Sequence, residues 1–207
     1  GWLEYFTQKA SVYMIKNLDF YFDFISPYSY LAYKRLNSLN EDNKININYK
    51  PILLGGLHNL GKITPPAFNE RKLKNMKNDC ELVASKNNIE FKWNVKFPIN
   101  SLYLMRGYLV VDDHLKKKFF EISFDAYWKE NLDISEEKII DAIMKKTGLN
   151  KEKFLKNIKK DNIKEKLKNL TSEAFEKDIF GAPTFVVNNK IFWGQDRLDY
   201  ALDEYNS

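Results

Sequence analysis

From Leu18 to Ile25 the chain is dense in aromatic and apolar residues, the pattern of a buried strand, and Ser26-Pro27 ends it abruptly. Ser26 stands where a helix N-cap belongs, and Pro27 takes the first helical position, where a missing N–H costs nothing. Behind them Tyr28, Leu31, Ala32, Leu36 and Leu39 form a helical apolar stripe. Lys44 to Lys50 alternates apolar and polar positions and reads as a half-buried strand. Strand, helix and strand at this spacing make a βαβ unit with parallel strands. Pro51 to Leu54 then leads into a loop that carries Gly55, Gly56 and Gly61 and closes at Pro65-Pro66.

From Phe68 to about Asp178 the pattern is helical. Phe68 to Asn87, Asn100 to Val111 and the aromatic-rich Leu115 to Glu130 are successive helix candidates. Ser135 is placed to cap the next, with Glu136 and Glu137 in its first turn, Lys145 and Lys146 in its last, and Gly148 ending it. Asn150 is placed to cap another, and Ile163, Leu167, Leu170 and Ala174 recur at helical spacing up to the Gly181 break. Pro183 to Val187 and Lys190 to Trp193 read as a hairpin turning at Asn188-Asn189, before a final amphipathic helix from Asp196 to Tyr205. The expected order is β-α-β, a helical block, then β-β-α. This divides the chain into an N-terminal extension (1–17), a small α/β domain (18–66 and 179–207) and an all-helical insertion (67–178).

Composition narrows the function classes. The 207 residues, 44% hydrophobic and 15% aromatic, suit one folded unit with a sizeable core. Lys and Arg number 33 against 28 Asp and Glu, and the signs are interspersed, so the basic runs read as solvated helix faces and no nucleic acid is expected as a partner. No apolar run is long enough to span a membrane, and Gly1 to Lys16, where Met14 would be a natural start, lacks the apolar core of a signal peptide. The single cysteine, Cys80, excludes an internal disulfide and a CxxC centre; it suits a reducing, cytoplasmic setting and is expected to be buried and inert. His58 and His114 are isolated, so no metal site is expected. Gly56-x4-Gly61-Lys62 imitates a P-loop, but Ile63 replaces the Mg²⁺-binding hydroxyl and Pro65-Pro66 opposes the helix such a loop requires.

The chemistry concentrates at Ser26, whose hydroxyl stands at the positive end of a helix dipole, suited to an anion such as a thiolate; the competing reading is a purely structural cap. A residue of interest at the first helix start, with Gly181-Ala182-Pro183-Thr184 opening the third strand, is the thioredoxin layout, in which that proline is commonly cis. The stretch Phe20 to Ala32, the blocks Phe97-Pro98-Ile99-Asn100-Ser101-Leu102, Met105-Arg106 and Ala126-Tyr127-Trp128, and the tail Phe180 to Val187 with Phe192 to Leu198 carry a closer likeness. The sequence resembles the 2-hydroxychromene-2-carboxylate isomerases and kappa-class glutathione transferases, DsbA-like thioredoxin folds, from about residue 18 to the end.

That resemblance implies a glutathione site. Ser26 would replace a redox cysteine and hydrogen-bond the glutathione sulfur, favouring thiolate. Ala182, before Pro183, would pair its backbone with the cysteinyl part, and Gln195 and Asp196 would hold the γ-glutamyl end, Asp196 meeting its ammonium. Helix capping is the alternative for Asp196, and a structural ion pair that for Arg197. Asn59 stands where relatives carry Lys, and Ile63 where they carry Asn, with Lys62 or His58 placed to compensate. With Tyr28 and Tyr30, which flank Ser26, Asn59 is expected to face an aromatic or unsaturated carbonyl substrate; core packing is the alternative for the two tyrosines. The implied activity is glutathione-dependent isomerisation, with conjugation or peroxide reduction by glutathione as the neighbouring chemistry, in a homodimer joined through the helical block. A non-catalytic thioredoxin-fold binding module is the alternative of a different class.

Overall fold

The computed structural model describes residues 1–4 and 15–207; Met14 and most of the expected extension lie outside the described residues. Strand β1 (Leu18–Phe22) lies inside a four-stranded sheet of order β2-β1-β3-β4. Its neighbours are β2 (Ile47–Pro51), parallel, and β3 (Thr184–Val187), antiparallel, while β4 (Lys190–Trp193) pairs antiparallel on the outside of β3. Phe20 sits opposite Tyr49 on one side and Phe185 on the other, and the Phe20 and Phe185 rings stack at 5.1 Å. Asn188 and Asn189 both take left-handed φ (50° and 60°), which gives the two-residue hairpin its tight turn.

Both sheet faces are covered, and the helical block supplies most of the cover. On one face the rings of Phe22 and Phe24 meet Phe120 and Phe124 of α5 (Asp113–Trp128), each closest pair at 4.8 Å. Helix α1 (Pro27–Leu39) buries Tyr30, Leu31, Ala32 and Leu36 in the same core, but Leu39 is exposed. On the other face a smaller cluster joins Tyr21 and Ile52 to Leu57 of α2 (Leu54–Leu60) and Ala174 of α8 (Asp161–Glu176). The helices between are α3 (Glu70–Lys86), α4 (Leu102–Val110), α6 (Glu137–Thr147) and α7 (Lys151–Ile158); α9 (Leu198–Asn206) closes the chain. Cys80 of α3 is fully buried, and burial pushes its thiol well above the usual range.

Several elements depart from the sequence expectation. The stretch with Gly55 and Gly56 is not a loop but α2, because tertiary contacts override poor helix propensity. The Thr171 hydroxyl of α8 accepts the Leu53 N–H at 3.0 Å, and a Cβ on Gly56 would stand 3.2 Å from the Thr171 methyl. Strand β2 starts later than the alternation suggested, since the Asn40 side chain takes the Ile45 N–H first. Ser135 does not cap α6: the N-cap is Glu136, and the Ser135 hydroxyl donates to the stronger acceptor, the Asp133 carboxylate, at 2.5 Å. Asn150 does cap α7, and Gly148 ends α6 at φ 83°. A 3-10 turn (Gln195–Arg197) precedes the last helix, which therefore begins at Leu198.

Candidate functional site

The loop from β1 to α1 is fixed on several sides before it reaches Ser26. The Trp128 indole N–H donates to the Phe24 carbonyl at 2.9 Å. Asp23, 1% exposed, accepts the Ile25 N–H (3.1 Å) and the Ser101 hydroxyl (2.7 Å) on Oδ1 and the Leu54 N–H (2.9 Å) on Oδ2. Burial pushes the Asp23 carboxyl above its ordinary value, against the pull of those three bonds. One buried carboxylate thus ties the Ser26 loop to the start of α2 and to the residue before α4.

Ser26 is the N-cap of α1, its Oγ accepting the Ser29 N–H at 3.0 Å. The same hydroxyl donates to the Ala182 carbonyl at 3.1 Å. The Ala182–Pro183 peptide is cis, and its turn is held by bonds from Thr184 Oγ1 to the Gly181 carbonyl (2.7 Å) and from the Gly194 N–H to the Pro183 carbonyl (2.9 Å). Pro27 has no N–H and the Ser29 N–H is taken. The Tyr28 N–H has no acceptor among the described residues, an open donor at the positive end of the helix dipole.

These groups border a cavity of about 510 Å³. Ser26, Tyr28 and Ala182 lie on one side; Gly55, His58 and Asn59 of α2 form another. The remainder is apolar, including Ile63, Phe68, Met76, Phe97, Pro98 and Trp193. The Trp193 indole lies so close over Gly181 that a Cβ there would fall 2.7 Å from Nε1, so only glycine permits this wall. Burial lowers the His58 imidazole below its ordinary value.

Residues 17–206 match the family model of a DSBA-like thioredoxin domain. The chain belongs to that family. 2-Hydroxychromene-2-carboxylate isomerase of Sphingobium xenophagum is 28% identical over 194 residues, 93% of this chain and 98% of the relative. Glutathione S-transferase kappa 1 of Homo sapiens is 27% identical over 200 residues, covering 89% and 88%. A solved 2-hydroxychromene-2-carboxylate isomerase superimposes with a TM-score of 0.84 at 27% identity, covering 92% of this chain and 94% of that one.

Within this DSBA-like thioredoxin frame, the structure brings Ser26, Tyr28, Asn59 and Ala182 to one cavity; Pro183, cis to Ala182, is not on its lining. The Tyr28 hydroxyl leaves the cavity wall to donate to Asp79 at 2.7 Å, and burial raises its phenol. Tyr30 does not face the cavity: it is fully buried against Phe91 and Phe124, and its hydroxyl donates to the Glu90 carbonyl. Gln195 and Asp196 stand off the wall in the turn after β4; the Gln195 carbonyl accepts from Arg35 at 3.1 Å, and Asp196 is exposed. Arg197 lies over the Tyr200 ring at 5.1 Å instead of pairing with a carboxylate. Asp23 and the cis Phe97–Pro98 peptide are additions that sequence reasoning missed, and of the two loop residues placed to compensate, His58 reaches the cavity wall and Lys62 does not. Asp23 had one available signal, a charge flanked directly by Phe22 and Phe24 at the end of an aromatic strand run. No helix among the described residues is long and apolar enough to cross a membrane.

Proposed function

We propose that this chain is a glutathione-dependent enzyme, an isomerase resembling the 2-hydroxychromene-2-carboxylate isomerases, with glutathione transfer to an electrophile as the neighbouring activity. One observation carries the reading: the Ser26 hydroxyl caps a helix at the edge of an apolar cavity and bonds the carbonyl that precedes a cis proline. The residues present fit glutathione. Bound, it supplies a thiolate whose reversible addition to a conjugated double bond permits rotation about that bond.

The chain's own groups have separable tasks. Ser26 owns a single proton, given in the structure to the Ala182 carbonyl. A peptide N–H arriving at that carbonyl would take its place, freeing the Ser26 proton to turn toward the sulfur. Recognition of the tripeptide backbone and stabilisation of its thiolate are then coupled through one hydroxyl. The open Tyr28 N–H and the helix dipole add to that stabilisation. A free thiol has a pKa of about 8.5, and each unit of lowering needs about 1.4 kcal/mol, which a hydroxyl and a helix terminus can supply once or twice over. Gln195 and Asp196 hold the γ-glutamyl end. His58 and Asn59 present neutral donors beside the apolar wall of Ile63, Met76, Phe97 and Pro98. A homodimer joined through the helical block and a cytoplasmic, reducing setting belong to the same reading.

Calorimetric titration with reduced glutathione tests it, with Asp196→Ala alongside. Saturable binding to the wild-type protein, weakened by that change, is expected. No binding at millimolar glutathione would overturn the reading and leave a non-catalytic binding module.

A further inference from the structure

We propose that the cavity beside Ser26 takes an uncharged aromatic carbonyl compound and discriminates against the corresponding carboxylate. This deepens the glutathione reading by naming the class of its second substrate.

The aromatic preference comes from the rim. Phe68 is 75% and Trp193 54% exposed, both on the cavity wall, with Phe97 and the Pro98 ring beside them. Large apolar side chains left open around one concavity gain burial from a flat ring laid between them.

The charge preference comes from what the wall lacks. Among the described residues, no Asp, Glu, Lys or Arg side chain lines the cavity. Its polar side chains beyond Ser26 are Tyr28, His58 and Asn59. The Tyr28 proton is already committed to Asp79, which also sets a carboxylate behind that wall. Burial favours the neutral form of His58. The open Tyr28 N–H and the positive helix end at Ser26 go to the sulfur on the glutathione reading, and two neutral donors, an imidazole N–H and an amide, remain for a carbonyl oxygen. They do not replace the hydration of a carboxylate in an apolar enclosure, where an unpaired charge is heavily penalised.

The test uses a nearly isosteric pair with no electrophilic double bond, 4-phenylbutanamide and 4-phenylbutanoate, titrated into the full chain at neutral pH with and without saturating glutathione, whose sulfur occupies the helix end that would otherwise take an anion. Trp193, on the wall, offers a fluorescence reporter beside calorimetry. The amide is expected to bind at least tenfold more tightly than the acid. Asn59→Lys should shift the ratio at least tenfold toward the acid; Ile63→Lys, from the same wall, serves if that variant does not fold. Equal or tighter binding of the acid by the wild-type chain in the presence of glutathione overturns the proposal, as does binding of neither compound at millimolar concentration. Preference for the amide in a chain that does not bind glutathione would leave the cavity's selectivity standing and remove only the glutathione reading.

Discussion

Replacing Ser26 by Ala separates its two duties, because each leaves its own trace. The substitution removes the oxygen that accepts the Ser29 N–H at 3.0 Å and the proton that goes to the Ala182 carbonyl at 3.1 Å. Loss of an N-cap costs about 1 kcal/mol, and loss of the second bond about as much again. Ser26 is only 2% exposed, so water does not readily restore either bond. The sum, about 2 kcal/mol, corresponds to a fall of about 4–8 °C in Tm for a chain of this size. Ser26→Gly keeps a tolerated cap and should recover most of the first term. For the sulfur the two variants are equivalent, since neither has a hydroxyl. A charge-assisted hydrogen bond contributes about 1.5–3 kcal/mol, so the thiol of bound glutathione should rise by about one to two pKa units in both. The assay is a pH titration of thiolate ultraviolet absorbance at saturating glutathione, run beside thermal melts. An unchanged thiol pKa in both variants, with only stability altered, would refute the chemical role and leave Ser26 as a cap.

Asp23→Asn places an amide N–H₂ against at least one of three donors and should cost about 1–3 kcal/mol. Because burial raises the folded Asp23 pKa above its ordinary value of 3.8, the folded state binds more protons than the unfolded one, so the Asp23 contribution is full in acid and lost as pH rises through the folded value. The stability gap between wild type and Asp23→Asn should therefore be wider below pH about 4 than near about 7 in urea unfolding, and a gap that widens with pH would contradict this. Trp128→Phe leaves the buried Phe24 carbonyl without its donor, which should cost about 1–3 kcal/mol. Because that bond steadies the Ser26 loop, calorimetry should also show several-fold weaker glutathione binding, and unchanged affinity would show that the loop does not depend on it. In Gly107→Ala the new Cβ would lie 2.5 Å from Phe154 Cζ and 2.9 Å from Phe119 Cζ. Overpacking of about 1–3 kcal/mol should exceed the gain of about 1 kcal/mol in helix propensity, and a raised melting temperature would refute that balance.

The parts of the fold legible from sequence are those that neighbouring residues decide. Ser26-Pro27 ends a strand and starts a helix, Asn150 caps, Gly148 turns left-handed, and Asn188-Asn189 makes a hairpin, each through its own backbone or side chain. Tyr30 was legible too, had the helix been followed around its axis. Residues two apart on a helix point about 200° from each other, so Tyr28 and Tyr30 cannot share a cavity, and one of them must enter the core. Helix α2 was not legible, because its causes are remote. The Asp23 carboxylate meets its first N–H, Thr171 from α8 holds Leu53, and Gly56 makes room for that threonine. Read as a glycine loop, the segment gives His58 no direction. As a helix, Gly55, His58 and Asn59 fall at positions i, i+3 and i+4 on the cavity side, while Leu57 turns into the sheet-side cluster. The polar side of the cavity is thus held in part by the same buried carboxylate that steadies the Ser26 loop. A change at Asp23 should therefore disturb both the Ser26 loop and the α2 side of the cavity, although its side chain is not on the cavity lining.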